Sequence, residues 1–135
     1  MTYVEGFVIP VPTANKQAFI DHARMADPVF MEHGALRIYE CWGEDVPHGK
    51  VTDFYGAVAA KDDETVVFSW IEWPEKATAD AMHAKMDEIA KTDPRFSMEH
   101  NPPPLDGKRM IFGGFDPSSL WENDHDQIAR QLHLV

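Results

Sequence analysis

The sequence contains little cysteine and little positive charge. Cys41 is the one cysteine among 135 residues, so an internal disulfide is impossible, which fits a reducing compartment. Only 12 lysines and arginines stand against 23 aspartates and glutamates, and the formal net charge is -11. Nucleic acids and anionic membrane surfaces both select a basic footprint, so neither is an expected partner. We interpret the acidity as a contribution to solubility.

Long apolar runs are also missing. No stretch approaches the roughly 18 apolar residues of a membrane-spanning helix. Residues 1–6 do not form a basic segment followed by an apolar run, which is the pattern of a secretory signal peptide. The sequence therefore predicts a cytoplasmic protein.

Motifs for metals and phosphates are absent from the sequence. The histidines include no close pair in an apolar helical or CxxC-type context. His22 and His33 share a predicted helix, but about three helical turns separate them. There is no glycine-rich phosphate loop, and Gly113-Gly114 indicates a bulge or a close approach within a strand. We predict neither a metal nor a cofactor.

What remains is the composition of one globular domain, with 44% hydrophobic and 11% aromatic residues. Apolar patterning and turn residues predict a core domain over residues 1–115 and a tail over residues 116–135, which we expect to include a short docked helix. The predicted strands are 3–11, 35–42, 65–73 and 108–115, with a short strand or extended arm at 53–58, and the predicted helices cover about 13–33 and 75–91.

Local signals mark the ends of the first helix. Thr13 or Asn15 can cap its start, and Gly34 suits the left-handed conformation just past its end. Pro28 lies inside this helix. It deletes the bond to the carbonyl of Arg24, so we expect a kink or a break there.

The order of elements, β-α-β-(β)-β-α-β, predicts an α+β fold of the ferredoxin-like, split βαβ type. Such an antiparallel sheet carries both helices on one face. The other face also needs a cover, because the strands are apolar on both sides. A second copy of the same sheet is the simplest cover, and it would make a symmetric homodimer.

Charged residues within the strands predict their register. If Arg37 of the second strand lies opposite Glu72 of the next, Tyr39 falls opposite Trp70 and Cys41 opposite Phe68. The alternate positions then form an aliphatic layer suited to helices. A slip of one residue would mix the two layers, so the first register is the more consistent one.

This register gathers charged and aromatic side chains on the face away from the helices. The first strand is expected to place Val4, Gly6 and Val8 toward the helices. The opposite, open face then forms a candidate ligand-binding cavity in the dimer, lined by Arg37, Tyr39, Trp70, Glu72, Glu5 and Phe7. The alternative is that Arg37 and Glu72 pair only for structural reasons.

Two further cations begin the last predicted strand. Lys108 and Arg109 are expected near the Ile9 end of the first strand, at the same rim as Arg37 and Glu72. There Glu72 could act as a general base on a small acid or enolisable carbonyl compound, while the cations stabilise an anion. In the alternative, the charges close the sheet edge or the dimer seam.

Cys41 is a second candidate for catalysis. A nucleophilic thiol needs a base and an electropositive setting, and Arg37 lies nearby on the same strand. The alternative is that a lone cysteine serves as a small hydrophobic residue.

Several stretches resemble the DUF1428, or YbaA-like, family of uncharacterised bacterial proteins. They are Tyr3-Val4-Glu5-Gly6-Phe7, Gly34-Ala35-Leu36-Arg37, Asp45-Val46-Pro47 with Gly49-Lys50-Val51-Thr52-Asp53-Phe54, Val66-Val67-Phe68-Ser69-Trp70-Ile71-Glu72, and Asp106-Gly107-Lys108-Arg109-Met110-Ile111 with Gly113-Gly114-Phe115. The resemblance covers residues 3–115 and leaves out the tail. It implies a dimeric α+β barrel, a fold also used by small cofactor-free monooxygenases, but it implies no reaction.

Two functional hypotheses follow. The first is a small-molecule-binding protein, with enzyme-like chemistry in the cavity behind Trp70. The second is a non-catalytic dimer in which the charged strand residues form salt bridges. An open void lined by the candidate residues favours the first hypothesis, and a filled surface with every charge paired favours the second.

Overall fold

A computed structural model describes residues 2–123 as an antiparallel sheet of four strands with two long helices. The strand order is β2-β3-β1-β4, the split βαβ arrangement. The predicted α+β, ferredoxin-like fold is therefore confirmed. The elements are β1 (Tyr3–Pro12), α1 (Lys16–Glu32), β2 (Arg37–Trp42), α2 (Phe54–Ala57), β3 (Glu64–Trp73), α3 (Lys76–Thr92) and β4 (Ile111–Phe115).

Both long helices pack on the same face of the sheet. Helix α1 contributes Phe19 and Val29 to the core, and α3 contributes Met82. They meet Trp73 and Val67 of β3, whose side chains are completely buried. Removal of this apolar surface from water, worth about 25 cal/mol per Å², holds the two layers together. The opposite face, which we call the open face, carries neither long helix. Phe54, the first residue of α2, packs there against Phe68, with ring centroids 5.9 Å apart.

The predicted pairing of β2 with β3 is confirmed. Arg37 lies opposite Glu72, Tyr39 opposite Trp70, and Cys41 opposite Phe68. All six side chains share the open face, because directly paired residues of antiparallel strands point to the same side.

The predicted sidedness of β1 is wrong. Val4 pairs with Glu72, Gly6 with Trp70 and Val8 with Phe68, so Val4, Gly6 and Val8 belong to the open face. The residues between them point to the helices. Both alternating sets of β1 side chains are largely apolar, so composition could not show which set faces the helices. The residues moved to the helix face are Tyr3, Glu5, Phe7 and Ile9.

Helix α1 runs unbroken through Pro28, so of the two predicted outcomes, a kink or a break, the break does not occur. Pro28 and Arg24 are both exposed, so water can satisfy the carbonyl that loses its partner. Gly34 has a φ of 104°, as expected for the residue after the helix. The predicted side-chain caps are not formed by Thr13 or Asn15, and Asn15 instead donates to the Pro104 carbonyl, 3.0 Å away.

The connection between β2 and β3 contains the short helix α2 where a strand was predicted. The carboxylate of Asp53 accepts from the backbone of Gly56 at 2.7 Å and of Gly49 at 3.0 Å. Tyr55 donates its hydroxyl to the Val46 carbonyl. Asp53 therefore caps α2 and folds the loop back on itself.

The last strand begins later than predicted. β4 starts at Ile111, because Gly107–Arg109 form a 3-10 turn whose start is capped by Asp106. Residues 116–123 contain no helix, and the tail positions 124–135 of the predicted docked helix lie outside the described residues. None of the helices within residues 2–123 has the length and apolar composition needed to cross a bilayer.

Candidate functional site

The open-face cluster consists of Arg37, Tyr39, Trp70 and Glu72 in direct contact. Nε of Arg37 lies 3.1 Å from Oε2 of Glu72. The indole of Trp70 donates to the same oxygen at 3.3 Å. Tyr39 and Trp70 stack, with ring centroids 4.5 Å apart. The carboxylate of Glu72 is thus occupied by two donors, and action as a general base would require it to give up both.

Glu5 and Phe7 do not join this cluster, contrary to the prediction. Glu5 is 7% exposed beneath α3. Its carboxylate accepts from Nε1 of Trp73 at 2.6 Å and lies 2.8 Å from Nε2 of His83. Phe7 stacks on Phe112 along the helix face. A structural role follows for Glu5, because one carboxylate oxygen binds Trp73 of β3 and the other binds His83 of α3.

Lys108 and Arg109 lie at the other end of the sheet from Glu72, which corrects the predicted rim. The reason is the antiparallel pairing, in which Ile9 faces Val67 while Glu72 faces Val4. Arg109 forms two bonds of 2.6 Å with Glu64. Hydrogen bonding from Arg109 lowers the pKa of Glu64 to about 2. This ion pair fastens the 3-10 turn to the start of β3.

Cys41 is half-buried on the open face opposite Phe68. Among the hydrogen bonds of residues 2–123, none involves its thiol. The same part of the chain holds no group of three or more His, Cys, Asp or Glu side chains placed to bind a metal ion. Within residues 2–123 no base is hydrogen-bonded to the thiol, as a nucleophilic cysteine would require.

A second opening lies on the other side of the sheet, between the strands and the helices. We call it the interlayer cavity, and its volume is about 400 Å³. Aromatic and aliphatic side chains from β1, β3, α1, α3 and residues 95–110 form most of its wall. Its polar wall residues are His22, Asp27, Glu40, Ser69, Arg95 and Asn101.

Two carboxyl groups converge at the mouth of this cavity. Asp27 comes from α1 and Glu40 from the edge strand β2. Both residues also line a groove of about 760 Å³ along the seam between these elements. Glu40 pairs with Ser69 in the sheet, so the two side chains lie on the same face. The acid pair therefore lies where the groove meets the cavity.

The surroundings of the acid pair favour protonation. Burial raises the pKa of Glu40 to about 8, and the neighbouring charge of Asp27 adds to the increase. The pKa of Asp27 is also raised by burial, although its hydrogen bond with Glu40 and the nearby His22 oppose the change. Glu40 is an exposed residue that borders the cavity and the groove. Water therefore reaches part of the residue, although neighbouring protein atoms desolvate its carboxyl group. Of the two groups, Glu40 is the one that burial and the neighbouring carboxylate shift toward the protonated form near neutral pH.

Asn101 fixes the wall of the cavity that is formed by the loop after α3. This buried amide donates to the carbonyls of Arg95 at 2.8 Å and His22 at 3.3 Å. Its oxygen lies 3.0 Å from Nδ1 of His22. Arg95 in turn forms an ion pair with Glu32 of α1 at 2.6 Å. These contacts hold the loop against α1, so that the loop closes one side of the cavity.

Glu40 carried a signal in the sequence that the prediction missed. Residues of a strand alternate in direction, so a register that puts Tyr39 on the open face must turn Glu40 toward the helices. A carboxylate pointing at an apolar layer is costly unless it is paired or protonated. That cost marks the position as a candidate site.

The comparisons with known proteins agree with this fold. The model of the family described as "Protein of unknown function (DUF1428)" matches residues 2–107. The chain belongs to the DUF1428 family. It is 53% identical over 116 residues to the uncharacterized protein YbaA of Escherichia coli K12 and equally to YbaA of Shigella flexneri. Each alignment covers 86% of this chain and 96% of the relative.

A solved structure extends the likeness beyond the DUF1428 family. It is a dimeric ferredoxin-like protein from an uncultured marine organism, with a TM-score of 0.50 and 13% sequence identity. The match covers 84% of this chain and 91% of that one. At this identity the likeness concerns the fold.

The raised pKa of Glu40 makes stability depend on pH. A carboxyl group with a raised folded-state pKa stabilises the protein fully below its unfolded pKa, near 4.5, and this contribution is lost as the pH rises through about 8. We therefore expect the free energy of unfolding of wild type relative to Glu40→Gln to fall across this interval. Urea denaturation at a series of pH values measures this difference in unfolding free energy. A difference that does not change with pH would contradict the assignment. Carbon-13 NMR titration of the Glu40 carboxyl, alone and in Asp27→Asn, checks the same point, because removal of the neighbouring charge should lower its midpoint.

Proposed function

We propose that this protein is a homodimer that binds a small, mostly apolar organic molecule in the interlayer cavity. The observation that carries the proposal is a cavity of about 400 Å³ whose apolar wall contains a few convergent polar groups. Cavities of roughly 300–1,000 Å³ with this composition are typical small-molecule sites. The proposal moves the predicted site from the open face to the helix face and keeps the predicted cytoplasmic location.

The wall selects the chemistry of the bound molecule. Phe30, Phe96 and Met86 present apolar surface, which favours a ring or a branched chain. Asp27 and Glu40 offer one carboxylate and one proton, so they can accept and donate a hydrogen bond at once. A neutral molecule with a carbonyl or hydroxyl group fits this wall better than an anion, which the acid pair would repel.

The open face is proposed as the surface of the homodimer. Phe68, Ile111 and Phe115 are exposed there, around a depression of about 530 Å³ with an almost wholly apolar wall. Large exposed apolar patches are typical of interaction sites. The dimeric state given for the ferredoxin-like neighbour supports a second copy of this chain as the partner.

In this proposal the predicted open-face site has an interface role. The pairing of Arg37 with Glu72 and the stacking of Tyr39 on Trp70 support the structural alternative for these residues. A ligand held between two open faces, next to Trp70, is the second candidate. The apolar depression lined by Val8 and Phe68 favours it.

Titration of the protein with 2-tetralone, a neutral bicyclic ketone, tests the proposal by amide NMR. We expect saturable shifts at Ser69 and Phe96, which line the interlayer cavity. Ala23→Phe, which fills the cavity wall, should weaken binding by about tenfold or more. Ala81→Phe is the matched control, because Ala81 is exposed on the other side of α3.

The positions of the NMR shifts distinguish the two candidate sites. Shifts confined to Val8, Phe68 and Ile111 would move the site to the open face. The absence of any saturable shift with this ketone would refute the interlayer proposal in its stated chemistry.

A further inference from the structure

We infer that Asp27 and Glu40 act together as an acid–base pair that exchanges a proton on a carbon next to a carbonyl group of the bound molecule. The inference rests on the proposed function, because the reacting molecule must occupy the interlayer cavity. It goes further by assigning a reaction class and two catalytic residues.

The position of the pair carries the inference. Asp27 and Glu40 come from different elements, and both border the cavity and the groove that leads to it. Their carboxyl groups are close enough for each to shift the pKa of the other, and Glu40 lies directly opposite Ser69 of the neighbouring strand. A molecule in the cavity would thus meet both carboxyl groups at once. The predicted open-face base, Glu72, differs in being held by Arg37 and Trp70.

The protonation of the pair suits both halves of the reaction. With one shared proton, Asp27 supplies a carboxylate base and Glu40 an acid. Burial brings the pKa of Glu40 to about 8, close to neutrality, where general acids and bases are most effective. The charged or titratable groups that line the same cavity and groove are His22, Arg24, Arg37 and Arg95.

The proposed step balances without an oxidant or a cofactor. The bond between carbon and hydrogen breaks, and its proton passes to the carboxylate of Asp27. The electron pair forms the enol double bond while Glu40 gives its proton to the carbonyl oxygen. The reverse transfer regenerates the ketone and both starting protonation states. When the proton held by Asp27 is first replaced by one from solvent, its return to the same carbon gives isotope exchange. Return of the proton to a conjugated carbon gives isomerisation.

The substrate class follows from this step. It is a neutral ketone or ester with an acidic hydrogen next to the carbonyl, mostly apolar, and no larger than a fused ring pair. Anionic substrates are disfavoured by the carboxylate that serves as the base.

Hydrogen–deuterium exchange of 2-tetralone in D₂O tests the inference directly. The probe has acidic hydrogens next to its carbonyl, and proton NMR follows their loss. We expect the full-length protein to accelerate exchange about 100-fold over buffer, the usual scale of one acid–base contribution. Glu40→Gln and Asp27→Asn should each return the rate to that of the buffer while the amide shifts still report binding. Asp87→Asn, which alters an exposed carboxylate of α3, should leave the rate unchanged.

Each result separates the inference from the proposed function. Binding with exchange at the buffer rate would overturn the acid–base role and leave the binding site in place. Undiminished exchange in Glu40→Gln and Asp27→Asn would overturn the residue assignment. A lack of binding would refute the proposed function and the inference with it. The pH profile of exchange is a further readout that a structural role would not produce, because it should follow the titration of the pair.

Discussion

Replacement of Trp73 by alanine should lower the free energy of unfolding by about 4–5 kcal/mol. Trp73 is 0% exposed and lies in the core between the sheet and both helices. Its loss creates a large cavity and also leaves the buried carboxylate of Glu5 without its indole donor, 2.6 Å away. Urea denaturation monitored by circular dichroism measures the change.

Two variants separate the causes of this loss. Trp73→Phe keeps much of the apolar volume but removes the donor, and should cost about 1–3 kcal/mol. Trp121→Ala is the control for tryptophan replacement, because Trp121 is 91% exposed and should change stability by less than about 0.5 kcal/mol. Equal losses in Trp73→Ala and Trp121→Ala would show that the core does not centre on Trp73.

Replacement of Phe68 by aspartate should convert the proposed dimer to a monomer. Phe68 lies on the open face and is 44% exposed in the single chain. In a symmetric dimer the substitution places two carboxylates in the same apolar interface, and we expect the dissociation constant to rise by roughly 100-fold or more. Sedimentation velocity over a range of protein concentrations measures the change.

The opposite face provides the control. Leu36→Asp introduces a similar change on the helix side of the sheet, next to the groove along α1, where Leu36 is 51% exposed, and should leave the dimer intact. A wild-type protein that stays monomeric at every concentration would refute the dimer. If Leu36→Asp dissociated the dimer and Phe68→Asp did not, the interface would lie on the other face.

Charge contrast decided which parts of the fold could be predicted from the sequence. Arg37 and Glu72 interrupt otherwise apolar strands, so their pairing gave the register of β2 and β3 directly. The one charge of β1, Glu5, lies opposite Ile71 and so has no charged cross-strand partner. Val4 and Phe7 are both compatible with either face. The burial of Glu5 depends on Trp73 and His83, which lie far away in the sequence. No local pattern reports such distant partners.

The site was harder to predict than the fold for a similar reason. The interlayer cavity is closed by residues 95–110, a proline-containing loop without a regular period. The contacts of Asn101 that shape it join segments about eighty residues apart. Its acid pair brings together Asp27 and Glu40 from separate elements. Only the packing of α1 across β2 makes them neighbours.

Adjacent residues of β2 serve opposite faces of the sheet, and this limits how the strand can change in length. Tyr39 stacks with Trp70 on the open face, while Glu40 lies opposite Ser69 on the cavity side. A substitution at either position affects one face. Deletion of a single residue within Arg37–Trp42 would exchange the two sets of side chains, and so turn a carboxyl group toward the partner copy and an aromatic ring toward the bound molecule. This strand can therefore accept changes of residue type far more readily than the gain or loss of one residue.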